Sequence, residues 1–403
     1  MNITPLIKYF IPLLEKNKLK NIKHPETNNI FSSLYKDFFE AEKTINLKEY
    51  EPILHNPNEP LILQSSTRYF PKEIRTYINN TASSLFKYVS TVNKREININ
   101  FYSFDGNNSN ISKLLVKMMC VWLFICSKYS HKKCAETINI NIYLTPFKKS
   151  LPFNNTYILS TEHVNTAFTM ACAPKGEITI FREEEWFKVF IHETFHSYGL
   201  EFGMHDALPF KKVLKKTFPI KSDFEANEAY TETWARIINC CLYSFYNLDN
   251  KLDIKTYLLY VDFSLQIERI FSIFQMSKVL NFMGLEYKQL YNLDENSHYK
   301  RQQLYKENTH VFGYYILTAV FLNDYSQFMT WCFNNNTGSN LKAFMKFNCN
   351  KESFHKMGDY FEAIYKNNNL LKTIDALRKI KIKIKDDYLH KTTRMAIFDI
   401  SDL

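Results

Sequence analysis

The 403-residue chain has no C-x-x-C pair, no long apolar run and no dense basic patch. The most apolar run, Leu114 to Cys126, is too short to span a bilayer and contains Lys117. The first twenty residues lack a basic leader and a long apolar core, so no secretory signal is expected. The charge balance, 51 basic against 41 acidic residues, is a net of +10, modest for this length. No basic cluster is interleaved with aromatics, which argues against nucleic acid as a partner. Eight cysteines lie scattered without a framework, and the expectation is reduced thiols in an intracellular setting, cytoplasmic or virion-associated. Abundant Asn, Lys, Ile, Phe and Tyr suggest an AT-rich coding sequence, as in large DNA viruses or some protists.

Against this plain background one stretch carries chemistry. Residues 183–199, EEEWFKVFIHETFHSYG, follow an amphipathic helical pattern, with acidic residues at the N-terminal end and Gly199 as C-cap. His192 and His196 are four apart, one turn along the same helix face, so both imidazoles can reach one metal ion. Glu193, directly after the first histidine, is placed to act as general base on a water in the open position. A site with two histidines needs a third protein ligand, and a second helical stretch, EANEAYTETWARII at 225–238, offers Glu228 and Glu232 one turn apart. One of them can ligate, and the other can accept the free N–H of a ligating histidine.

These motifs resemble those of the gluzincins, zinc metallopeptidases with an H-E-x-x-H helix and a glutamate third ligand. Asn227-Glu228-Ala229-Tyr230-Thr231-Glu232 is similar to the N-E-A-x-S-D segment of thermolysin-type enzymes and to the E-x-x-x-E segment of anthrax lethal factor. The resemblance spans His192 to Arg236. It implies Zn²⁺ held by His192, His196 and Glu228, with Glu232 orienting a histidine. Glutamate in place of aspartate at 232 leaves the two acidic roles exchangeable. The metzincin pattern is excluded, because Phe202 stands where its third histidine belongs; His205, three residues later, is a further candidate ligand.

The remaining pattern implies an α+β chain with a zincin-like core: a mixed sheet, the two motif helices and additional helical regions. A helical N-terminal arm is expected over 1–70, the catalytic part with its sheet over 71–245, and a mainly helical part over 246–403. A helix is expected from Pro71 to about Val92, then a strand through Ile97, Ile99 and Phe101 ending at Asp105-Gly106, a buried helix over 111–129 and a strand through Ile138 to Leu144. Two further strands follow, over His163–Ala171 and Glu177–Phe181. Gluzincins place an edge strand beside the metal, and the resemblance assigns that place to Asn165, Ala167, Phe168 and Thr169. A long helix is expected from Asp253 to Met283, stopping at Gly284. Residues 307–323 carry His310 and Tyr314, four apart, as candidate stabilisers of a developing oxyanion, with Tyr198 and Tyr230 as competing phenols. Lys379 to Lys385 alternates with isoleucine and reads as a strand. The expected activity is hydrolysis of a peptide or protein substrate. The alternative is a non-catalytic, zinc-stabilised structural protein.

Overall fold

The computed structural model describes residues 5–16, 24–45, 53–54, 68–104, 113–203, 206–337, 343–381 and 384–400. His205 and Asp105-Gly106 lie outside these. Strands β1 (Ile53–Leu54), β2 (Ala82–Val92), β3 (Arg95–Phe104), β4 (Thr137–Tyr143), β5 (Ala167–Thr169) and β6 (Lys175–Ile180) form one mixed sheet in the order β1-β2-β3-β4-β6-β5. β3, β4 and β6 run parallel, and β5 returns antiparallel to β6 at the sheet's end. The parallel β3–β4 pair needs a crossover, supplied by the buried helix Lys113–Tyr129. On β4, Ile138, Ile140 and Ile142 are fully buried, while Asn141 on the opposite face links Asn100 and Glu177 by hydrogen bonds. One sheet face is therefore apolar, and the helices cover it.

Two helices on that face position the chemistry. The histidine helix, Trp186–Ser197, packs against β5, β6 and the glutamate helix, Ala226–Tyr246. Every residue of the histidine helix is buried, so its amphipathic pattern marks two kinds of interior, not a core side and a solvent side. From behind, Trp122 donates its indole N–H to Thr194 Oγ1 at 2.7 Å. Gly199 ends the helix with φ +61°, where its N–H reaches the His196 carbonyl and the Leu200 N–H reaches that of Phe195. The long helix Ile254–Phe282 packs on the glutamate helix and ends at Gly284, with φ +78°. Inside that contact Arg236 pairs with Glu268 at 2.5 Å, both fully buried. A single buried cluster runs from Phe10 through Trp122, Phe190, Tyr243 and Phe271 to Phe398.

Four expectations change. The helix after Pro71 stops at Thr81, and Ala82–Val92 is a strand. That segment is rich in β-branched and aromatic residues and pairs with β3 through a two-residue turn, Asn93-Lys94, with φ of +47° and +65°. His163 and Val164 belong to a helical turn, Thr161–Val164, so only Ala167–Thr169 of the expected stretch is a strand. Lys379 and Lys381 end a helix, Asn368–Lys381, not a strand. Leu370, Thr373 and Leu377 are buried there at helical spacing, which overrides the local Ile/Lys alternation.

The fourth change concerns the thiols. Cys134 and Cys172 form a disulfide across 38 residues, with Cα atoms 4.3 Å apart. The sheet brings the two together, and no sequence spacing signals it. The cysteine count therefore no longer argues for a reducing compartment. Cys240 and Cys241 are free and buried in the glutamate helix. Among the described residues no helix is long and apolar enough to cross a membrane.

Candidate metal centre

His192 and His196 point their Nε2 atoms at each other, 3.0 Å apart. Glu228, in the first turn of the glutamate helix, brings Oε2 to 3.2 Å from the first and 3.5 Å from the second. This buried trio could hold a metal ion. The other ring nitrogens are also occupied. His192 Nδ1 donates to Glu232 Oε2 at 3.0 Å, and His196 Nδ1 donates to Glu201 Oε1 at 2.5 Å. Each imidazole thus carries a proton on Nδ1 and turns Nε2 towards Glu228. The two acids of the glutamate helix are no longer interchangeable: Glu228 faces both Nε2 atoms, and Glu232 lies behind His192.

Glu201 was not anticipated from the sequence. It sits beyond the helix end, and the turn at Gly199 folds it back under His196. Its Oε2 accepts from Asn227 Nδ2 at 2.9 Å and Thr231 Oγ1 at 3.1 Å, so the glutamate helix fixes it in place. The acidic N-terminal end of the histidine helix also differs from the dipole reading. Glu185 caps it in a left-handed conformation, φ +51°, and is fully buried. Its carboxylate pairs with Lys149 and accepts the N–H groups of Met395 and Ala396.

Protonation follows from this packing. Burial drives His196 towards its neutral form, but the Glu201 and Glu228 carboxylates overcome it and hold the ring well above the usual imidazole range. Burial likewise opposes ionisation of Glu228, yet His196 and His192 keep it well below the usual carboxylate range. In the metal-free site a proton does the electrostatic work of a cation. The folded pKa of His196 is raised, so this contribution to stability is complete below the unfolded imidazole value and is lost as pH rises through the folded one. A metal ion bound by this trio would displace that proton. Loading the metal-free protein in weakly buffered solution at neutral pH is expected to acidify it, and affinity to rise with pH. A pH-electrode titration checks both; uptake without acidification would contradict the proton's role.

Glu193 lines a cavity of about 230 Å³ together with His196, Glu228, Glu225, His310 and Tyr314. Burial raises its carboxyl pKa, partly countered by the two histidines. Tyr314 sets its ring edgewise to His192, with centroids 5.6 Å apart. His310 lies just before the helix, its Nδ1 facing Glu225 Oε2 at 4.0 Å. Tyr314 belongs to Phe312–Leu317, a π-helical turn that lies against the glutamate helix, and His310 lies two residues before that turn. Gly313 makes that approach possible: a Cβ there would stand 3.0 Å from the Glu225 carbonyl and 3.1 Å from Glu228 Cβ. Tyr198 and Tyr230 are fixed elsewhere, the former under Arg95 and the latter donating to the Met345 carbonyl. A second triplet, Glu225, Glu228 and His310, also gathers ligand atoms within 4.8 Å of one another, but it shares Glu228 with the first.

The far wall of the cavity contains Ala167, Phe168 and Thr169 of β5, at the end of the sheet. Asn165 lies at the helical turn before β5. Its Oδ1 accepts from Thr309 Oγ1 at 2.7 Å, which ties this wall to the loop that carries His310. Comparison of the chain with family models, curated proteins and solved structures finds no match.

Proposed function

We propose that the chain is a zinc-dependent peptidase in which His192, His196 and Glu228 hold the ion and Glu193 is the general base. The observation that carries this reading is the convergence of two Nε2 atoms and one carboxylate oxygen, 3.0 to 3.5 Å apart, beside Glu193 in one cavity. A tetrahedral zinc at about 2.0–2.1 Å from each donor spaces its ligands about 3.3 Å apart, and an N/N/O set with one open position suits catalytic zinc. When bound, zinc would polarise a peptide carbonyl and lower the pKa of a water.

The protein's own groups do the rest. Glu193 takes the proton of the attacking water as its oxygen bonds to the carbonyl carbon, and returns it to the nitrogen as the C–N bond breaks. Burial raises its carboxyl pKa, which favours its taking up the proton. Tyr314 and His310 line the same cavity as Glu193, and their O–H and ring N–H are the donors for the developing oxyanion in this reading. Main-chain groups of Ala167–Thr169 offer an edge to an extended peptide.

A zinc-stabilised structural protein would need the ligands but not Glu193 in the cavity, which favours the peptidase. Purified protein is expected to contain about one zinc per chain and to cleave a random peptide library only without chelator. Full zinc content with no cleavage would leave the structural reading standing.

A further inference from the structure

A buried lysine stands behind the carboxylate that orients His192. Lys188 is one turn before His192 on the same helix face and is 2% exposed. Its Nζ donates to both oxygens of Glu232, at 2.9 and 3.1 Å. Glu232 Oε2 in turn accepts the Nδ1 proton of His192 at 3.0 Å. Glu185 Oε1 and Met395 Sδ, each 3.8 Å from Nζ, close the pocket around the ammonium. Taking an ammonium out of water is costly, and an apolar side chain of similar length would fill the same space without that cost.

We propose that Lys188 is a positioning residue for the metal centre. By gripping both oxygens it fixes the Glu232 carboxylate in place and stops it from rotating to become a ligand in competition with Glu228. It thereby holds the His192 proton on Nδ1 and leaves the Nε2 lone pair for the metal. The inference rests on the metal-binding half of the proposed function, not on peptide cleavage. Lys149 provides the matched comparison: it is equally buried and pairs with Glu185, one carboxylate further from the metal.

The test measures Zn²⁺ affinity by competition with a chromophoric chelator, beside the unfolding midpoint of each metal-free variant. Both Lys188→Met and Lys149→Met are expected to lower the midpoint. Only Lys188→Met is expected to weaken zinc binding, by about 10- to 100-fold, the usual effect of losing an outer support of a ligand. Lys188→Met with unchanged affinity, or an equal loss in Lys149→Met, would overturn the proposal. Should Lys188→Met alone fail to fold, Lys188→Met/Glu232→Gln removes both buried charges and is compared with Glu232→Gln. Equal zinc affinities support action through Glu232; a further loss in the double variant refutes it. Absence of zinc binding by the wild-type chain would instead sink the metal reading itself.

Discussion

Glu193→Gln is expected to keep its zinc and lose peptide hydrolysis by about 100- to 10,000-fold, the range that a positioned general base contributes. The amide keeps the size of the side chain but cannot take a proton. Glu193 is not among the three groups whose ligand atoms converge, so metal content should match the wild type. The wild-type pH profile gives a second readout. Only the ionised carboxylate can take the proton of the water, so the rate should rise with pH as the Glu193 carboxyl ionises. Rate measurements with a fluorogenic peptide, paired with zinc analysis of the same sample, decide the matter. A variant that retains both zinc and rate would remove Glu193 from the mechanism.

How far the site could be read from the chain depends on how local each feature is. His192, Glu193 and His196 share one helix, where spacing alone sets geometry, and so were visible. Glu228 and Glu232 were visible as a pair, but their roles were not: which acid faces Nε2 depends on the rotation of one helix against another. Glu201 had no helical spacing to betray it, since it follows the Gly199 turn. The C-terminal segment showed no chemistry in sequence. In three dimensions its Met395 and Ala396 N–H groups bind Glu185, and the Ile397 N–H binds Glu268 at 3.0 Å, so it lies among the site's supports. Fold-level pattern reading held where burial is one-sided, as on β3 and β4. It failed at Ala82–Val92, where an amphipathic count was extended past the helix end into residues suited to a strand.

The largest loss of metal is expected from Glu228→Ala, and comparison with Glu232→Ala separates a ligand from its support. Without Glu228 two imidazoles remain, one short of the three protein ligands of a catalytic zinc site, so purified protein should be nearly metal-free. Without Glu232 the ligand trio is intact, and zinc affinity should fall only about 10- to 100-fold. Stability is expected to run the other way. Glu232→Ala leaves the Lys188 ammonium buried without its main partner, a defect worth roughly 3–5 kcal/mol. Glu228→Ala leaves the His196 imidazole still paired with Glu201, and a ring can shed its extra proton, so its cost in stability should be smaller. Although burial opposes it, Lys188 and His192 hold the Glu232 carboxyl down to about 2. Its stabilising contribution is therefore present above the ordinary carboxylate value of 4.5 and lost as pH falls towards about 2. Acid unfolding of metal-free protein should begin at higher pH in the wild type than expected from its neutral-pH stability alone, and Glu232→Ala should flatten that dependence. Zinc titration together with unfolding from pH 7 to pH 3 reads both effects. Loss of zinc in Glu232→Ala with retention in Glu228→Ala would reverse the two roles.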